Sequence, residues 1–195
     1  MPPASPSEPG FRAPHPLTER LLARIPDRAG IRILEVGTGS GRNAAALAAA
    51  GLAFVSIGES APIAPLERAG SFAAALSTHA LLHGTPATIR LRLLEIARVL
   101  EPGGLLYATF GSTRDARFGR GERIDAATYA PSDGDEAGVA HAFFDEARLR
   151  ELLGEAFAIA AMEEVAVDEV AGKWAHANAP LRDAVHWFVE AGRGQ

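Results

Sequence analysis

The chain has 195 residues, of which 48% are apolar and 22% charged. That is the size of one globular domain with a real core, which excludes wholesale disorder. Nineteen basic against 24 acidic residues give a net charge of −5, without the basic excess of a dedicated nucleic-acid binder, and the absence of cysteine excludes disulfides, thiolate metal sites and a cysteine nucleophile.

Lys173 is the one lysine, so Schiff-base chemistry has a single, poorly placed candidate. The longest weakly charged apolar run, residues 43–57, is too short and too alanine-rich to span a membrane, and Gly51 breaks it. Residues 1–16 hold six prolines and no apolar core of a signal peptide. They read as a flexible lead-in to a single domain over 17–195, with no membrane partner and a cytoplasmic location expected.

Thr18 is placed to cap a short helix over 19–25, closed by Pro26. A β-rich strand follows at 31–36 and ends in Gly37-Thr38-Gly39-Ser40-Gly41, after which a helix runs from Arg42 to about Ala50 and stops at Gly51. Residues 52–57 read as a second strand, 58–70 as a loop and 72–76 as a third strand. Thr85-Pro86 opens a helix in favoured form, with Ile89, Leu93, Ile96 and Leu100 on one apolar face. Glu101-Pro102-Gly103-Gly104 turns it into a strand at 105–109. Residues 111–142 read as a long irregular insertion, and Asp145 caps a helix over 146–153. Two last strands, 157–167 and 184–190, have no helix between them and are expected to pair antiparallel at one edge. The pattern is α/β: a Rossmann-like, mostly parallel sheet with helices on both faces and a C-terminal antiparallel edge hairpin.

The glycine loop is the most informative stretch. Its glycines let the backbone turn sharply and approach a ligand closely, and the helix start behind it offers N–H groups to an anion. The dinucleotide fingerprint G-x-G-x-x-G would need a third glycine where Arg42 stands. Glu35, two residues before the first glycine, would repel a pyrophosphate but can accept a hydrogen bond from an ammonium group.

Ile33-Leu34-Glu35-Val36-Gly37-Thr38-Gly39-Ser40-Gly41 resembles the first motif of the class I S-adenosylmethionine-dependent methyltransferases. Gly41-Arg42-Asn43, with Leu47-Ala48 and Gly51, is similar to their small-molecule, tellurite-resistance-type branch. Residues 71–77 and the Leu100-Glu101-Pro102-Gly103-Gly104 turn resemble later motifs, and the likeness runs in order over about 17–190. The resemblance implies S-adenosylmethionine as cofactor and methyl transfer to a small molecule. It implies a cofactor site of Glu35, Gly37, Thr38, Gly39, Gly41 and Asn43, with Ser77 at the end of the third strand.

Two departures stand out. The family has five parallel strands before its hairpin, yet only 35 residues separate Val36 from Phe72, room for one helix, one strand and one loop. One βα unit is expected to be missing. Glu59 is the one acid between Arg42 and Pro65. Either the family's ribose-binding acid has gone with the lost unit, or Glu59 takes its place as hydroxyl acceptor, the assignment made here. Ala73 also stands where the family carries an acid.

His79 follows the third strand at the edge where open parallel sheets bind ligands, and is the candidate to face substrate. His83 is nearby. Arg114, Arg117, Arg120 and Arg123 of the insertion suit either an anionic substrate or salt bridges with its acids. Asp133, Asp135, Glu136 and His141 mimic a metal cluster but meet no spacing rule, so no metal is assigned. Trp174 and Trp187 read as hairpin packing. The readings in order are a small-molecule methyltransferase, a catalytically impaired methyltransferase-like binding protein, and a nicotinamide-dependent oxidoreductase.

Overall fold

Strand β1 (Arg32–Val36) is almost wholly buried, and its side chains alternate between the two faces of the sheet. Ile33 joins the core under helices α1 (Pro16–Arg24) and α2 (Arg42–Ala49), while Leu34 and Val36 join the core on the other face. The same period of two turns Glu35 toward the α2 side. The computed structural model describes residues 13–25, 29–63, 68–134, 136–167 and 183–194.

Four strands run parallel in the order β2 (Ala53–Ile57), β1, β3 (Phe72–Ser77), β4 (Leu100–Ser112). Strand β9 (Val185–Arg193) lies antiparallel along β4, and β8 (Phe157–Ala166) pairs antiparallel outside it. The C-terminal hairpin therefore forms as expected. Helices α3 (Pro86–Val99) and α4 (Glu146–Gly154) cover the second face through Ile89, Leu93, Ile96, Leu149 and Leu153. Each such buried aliphatic side chain contributes about 1.5–3 kcal/mol of transfer free energy. Between β1 and β3 the described residues hold one helix and one strand. No described helix is long and apolar enough to cross a membrane.

Several local expectations are corrected. Thr18 does not cap the first helix. His15 does, its Nδ1 accepting from the Leu17 N–H at 3.1 Å, while the buried Thr18 hydroxyl donates to Asn43 Oδ1 at 2.9 Å. The helix opens at Pro16 over a buried His15, so the boundary expected between 16 and 17 falls inside it; residues 1–12 lie outside the described part. The insertion is not wholly irregular. It contains β5 (Glu122–Arg123), β6 (Thr128–Ala130) and β7 (His141–Phe144), an antiparallel meander whose last strand pairs parallel with Gly111 and Ser112 of β4. Strand β3 ends beside Ala108, so β7 occupies the edge of β4 that β3 leaves open. Backbone N–H and C=O groups exposed on that edge explain the ordering: an unpaired strand edge is a ready partner for a passing segment. Trp187 is buried and donates to the Phe144 carbonyl at 2.8 Å, whereas Trp174 lies outside the described residues.

Candidate functional site

The C-terminal ends of β1, β2, β3 and β4, with the start of β9, converge on one edge of the sheet. There the glycine loop turns from β1 into α2. Gly37, Gly39 and Gly41 all have positive φ (88°, 44° and 77°). Their surroundings differ. A Cβ on Gly37 would stand 2.5 Å from the Ala80 Cβ, whereas a Cβ on Gly39 or Gly41 would meet no atom within 4 Å. Gly37 thus serves packing against the loop after β3, and the backbone at Gly39 and Gly41 is open to a ligand. Thr38 is exposed at the turn, and its carbonyl accepts from the Gly41 N–H at 2.8 Å.

Glu35 is 1% exposed. Its Oε2 accepts from the Ser56 hydroxyl, while Oε1 is buried with no hydrogen-bond partner. Burial raises the Glu35 pKa, and the Ser56 hydroxyl and the nearby Asn43 carboxamide pull it partly back. A buried carboxylate oxygen without a donor is costly, and a cationic N–H donor would relieve it.

Asn43 is spent on protein partners. Its Oδ1 accepts from His15 N–H (3.0 Å) and Thr18 Oγ1, and its Nδ2 donates to Thr78 Oγ1 at 2.8 Å. It brackets α1, α2 and the loop after β3. The Ser77 hydroxyl is likewise fully buried and donates to the Val36 carbonyl at 3.1 Å, tying β3 to β1. Glu59, two residues beyond β2, presents Oε2 to His83 Nδ1 at 2.7 Å with its side chain 45% exposed.

His79 takes a left-handed conformation (φ 65°), costly for a residue with a side chain, and its N–H donates to Thr109 Oγ1 at 2.8 Å. Its ring lies between those of His15 (5.7 Å) and His186 (5.0 Å). Burial chiefly, with Arg42 second, lowers the His15 pKa to about 2. Burial, with Arg117 second, lowers that of His186 to about 3. Both are neutral imidazoles at physiological pH.

His186 leads to the strongest polar knot. The Asp115 carboxylate receives the Arg117 side chain at 2.8 Å through both oxygens, the Arg117 N–H at 2.8 Å and the Val185 N–H at 3.0 Å. Burial pushes the Asp115 pKa up, but Arg117 overrides it and holds the carboxyl below its ordinary value. Arg117 also approaches His186 Nε2 at 3.0 Å. The structure therefore brings Glu35, Asn43, Ser77 and His79 to one edge and places Glu59 with His83 one loop away. The Asp115–Arg117 pair is one of the salt bridges expected within the insertion, whereas His15 and His186 were missed by sequence reading, because each owes its place to a partner far along the chain.

No protein-family model matches the sequence, and no curated protein does. Solved structures share the fold. A 1,6-didemethyltoxoflavin N1-methyltransferase from Burkholderia thailandensis, solved with bound 1,6-didemethyltoxoflavin and S-adenosylhomocysteine, superposes with a TM-score of 0.66 at 16% identity, covering 93% of this chain and 78% of that one. An S-adenosylmethionine-dependent methyltransferase from Methanosarcina mazei gives 0.65 at 18%, covering 92% and 98%. The [4+2]-cyclase SpnF gives 0.54 at 20%, covering 89% and 80%. The chain has the Rossmann-like fold of the class I methyltransferases.

Proposed function

We propose that the protein binds S-adenosylmethionine and transfers its methyl group to a small molecule. The observation that carries this reading is the buried Glu35 with an unpartnered Oε1, set at the mouth of an open glycine loop. Glu35 accepts from the cofactor's ammonium group, and Gly39 and Gly41 admit it against the backbone. Glu59, with Oε2 already on His83, has its other oxygen for the ribose hydroxyls. Between the loops after β2 and β3 lies a cleft of roughly 590 Å³ bordered by Glu59, Ser60, Pro62, Ala80 and Leu81, suited to the adenosine end.

When bound, the cofactor supplies an electrophilic methyl group on a sulfonium. The chain's contribution is positioning and exclusion of water, which methyl transfer chiefly needs. His79, fixed by Thr109 and its strained backbone, stands with its ring between His15 and His186 at this edge, where the imidazole would orient the acceptor or take its proton.

Between β1 and β3 the described residues hold one helix and one strand, which supports the reading that one βα unit of the family is absent. That, and the engagement of Glu59 by His83, favour a second reading: a methyltransferase-like protein that binds a ligand without methyl transfer. The cyclase with this fold shows that the scaffold hosts other chemistry.

Calorimetric titration with S-adenosylhomocysteine and with NADH separates these. Micromolar binding of the first alone is expected, and Glu35→Gln should weaken it by about ten-fold or more, the worth of a charge-assisted hydrogen bond. Silence with both ligands would reject the cofactor assignment. Undiminished binding by the folded variant would reject the role of Glu35.

A further inference from the structure

We propose that His83, His141 and Glu136 form a binding site for a divalent transition cation, with zinc as the probe. The site lies beyond the glycine loop and does not depend on the cofactor reading.

The backbone sets up the pair. His83 and His141 face each other across an antiparallel bridge, flanked by Gly84 N–H to Ala140 O (2.7 Å) and Ala142 N–H to Leu82 O (2.9 Å). Residues opposed in this way send their side chains to the same side. The two rings meet edge to face at 4.7 Å. Glu136 comes from the turn before β7, and one ligand atom from each of the three lies within 4.8 Å of the others.

Both imidazoles are oriented by their far nitrogens. His141 Nδ1 lies 2.7 Å from the Val139 carbonyl, which can only accept, so that nitrogen carries the proton. His83 Nδ1 lies 2.7 Å from the Glu59 carboxylate and donates likewise. Each Nε2 is thereby left to face Glu136: His141 at 3.1 Å from Oε2 and His83 at 3.5 Å from Oε1. A cation placed between the three would meet both Nε2 atoms and the carboxylate at once. A proton held on each Nδ1 by a carboxylate or a carbonyl is how metal-bound histidines are oriented. Tetrahedral zinc with bonds of 2.0–2.2 Å spaces its ligand atoms by about 3.3–3.6 Å, which the two Nε2–carboxylate distances of 3.1 and 3.5 Å approach, with all three ligand atoms within 4.8 Å of one another. With no cysteine in the chain, the donor set is imidazole and carboxylate, which suits zinc and its first-row neighbours.

The surrounding charges are Glu59 on His83 and Arg117, whose Nη1 stands 3.6 Å from Glu136 Oε2. Glu136 would turn from Arg117 to the metal, while Arg117 keeps its pair with Asp115. The bound ion would clamp the turn before β7 to the loop after β3, beside the cleft that Glu59 borders.

The test uses full-length protein stripped with a chelator, titrated with zinc by calorimetry and with cobalt by visible absorption. One equivalent is expected to bind. Glu136→Gln and His83→Gln, shown to be folded by circular dichroism, should each bind about ten-fold more weakly or worse. If His83→Gln does not fold, Glu136→Gln decides, since it keeps the shape of the side chain. Zinc binding that is absent from the parent, or equally tight in the folded variants, overturns the proposal. Adding S-adenosylhomocysteine to the same samples reads the cofactor assignment separately.

Discussion

Two polar regions share the C-terminal edge of the sheet and are built in opposite ways. The cofactor loop comes from consecutive residues, 35 to 43, and its conformation is dictated by glycines and by the strand and helix it joins. The region around His79, His186, Asp115, Arg117 and Glu136 is assembled from the loop after β3, the insertion and the start of β9. The first is open, with a buried acid left unsatisfied. The second is dense, with each carboxylate engaged by a cation or a histidine. The difference teaches which side is left open for the cofactor and which is held in shape by its own ion pairs.

The largest effect should come from the dense side. Asp115→Ala removes the acceptor of Arg117 and of two backbone N–H groups, and should cost about 3–5 kcal/mol in chemical denaturation, as breaking a buried ion pair does. A loss below 1 kcal/mol would show that the knot does not organise this half of the molecule.

Acid should act through the same side. The unfolded chain protonates His15 and His186 near pH 6.5, but the folded chain resists until about 2 and about 3. The unfolded state therefore binds more protons in that window, and stability falls as pH is lowered through it. Each histidine contributes up to about 1.4 kcal/mol per pH unit. His186→Gln should flatten the stability curve between pH 6 and 4. An unchanged slope would show that His186 is already protonated. Asp115, with its pKa held down, adds stability above its ordinary value that disappears at still lower pH.

Within the glycine loop the comparison can be sharpened to single atoms. Gly37→Ala meets Ala80 and should lose about 2 kcal/mol or more of stability. Gly39→Ala meets nothing and should lose only about 1 kcal/mol, the cost of left-handed backbone for a residue with a Cβ. Its deficit should instead appear in S-adenosylhomocysteine binding. Equal behaviour of the two variants in both measurements would erase the distinction between packing and ligand approach.

Much of the fold was legible in the sequence because it rests on short-range signals. The alternation in β1, the Thr85-Pro86 start of α3 and the Asp145 cap of α4 each specify an element locally. Thr18 was misread because a capping hydroxyl and a buried one look alike in sequence, and a contact to Asn43 decided between them. The strands of the insertion were missed because β7 forms on an edge of β4 that only the length of β3 exposes.

The sequence by itself determined the glycine loop, the acid before it and the α/β order, because each lies within a few residues of the backbone it shapes. Tertiary structure decided the rest. Asn43 and Ser77 became brackets between elements, Glu59 met His83, and His83, Glu136 and His141 met one another. Spacing along the chain carries no trace of such meetings, because the sheet and its extra strand bring together residues that no local rule connects.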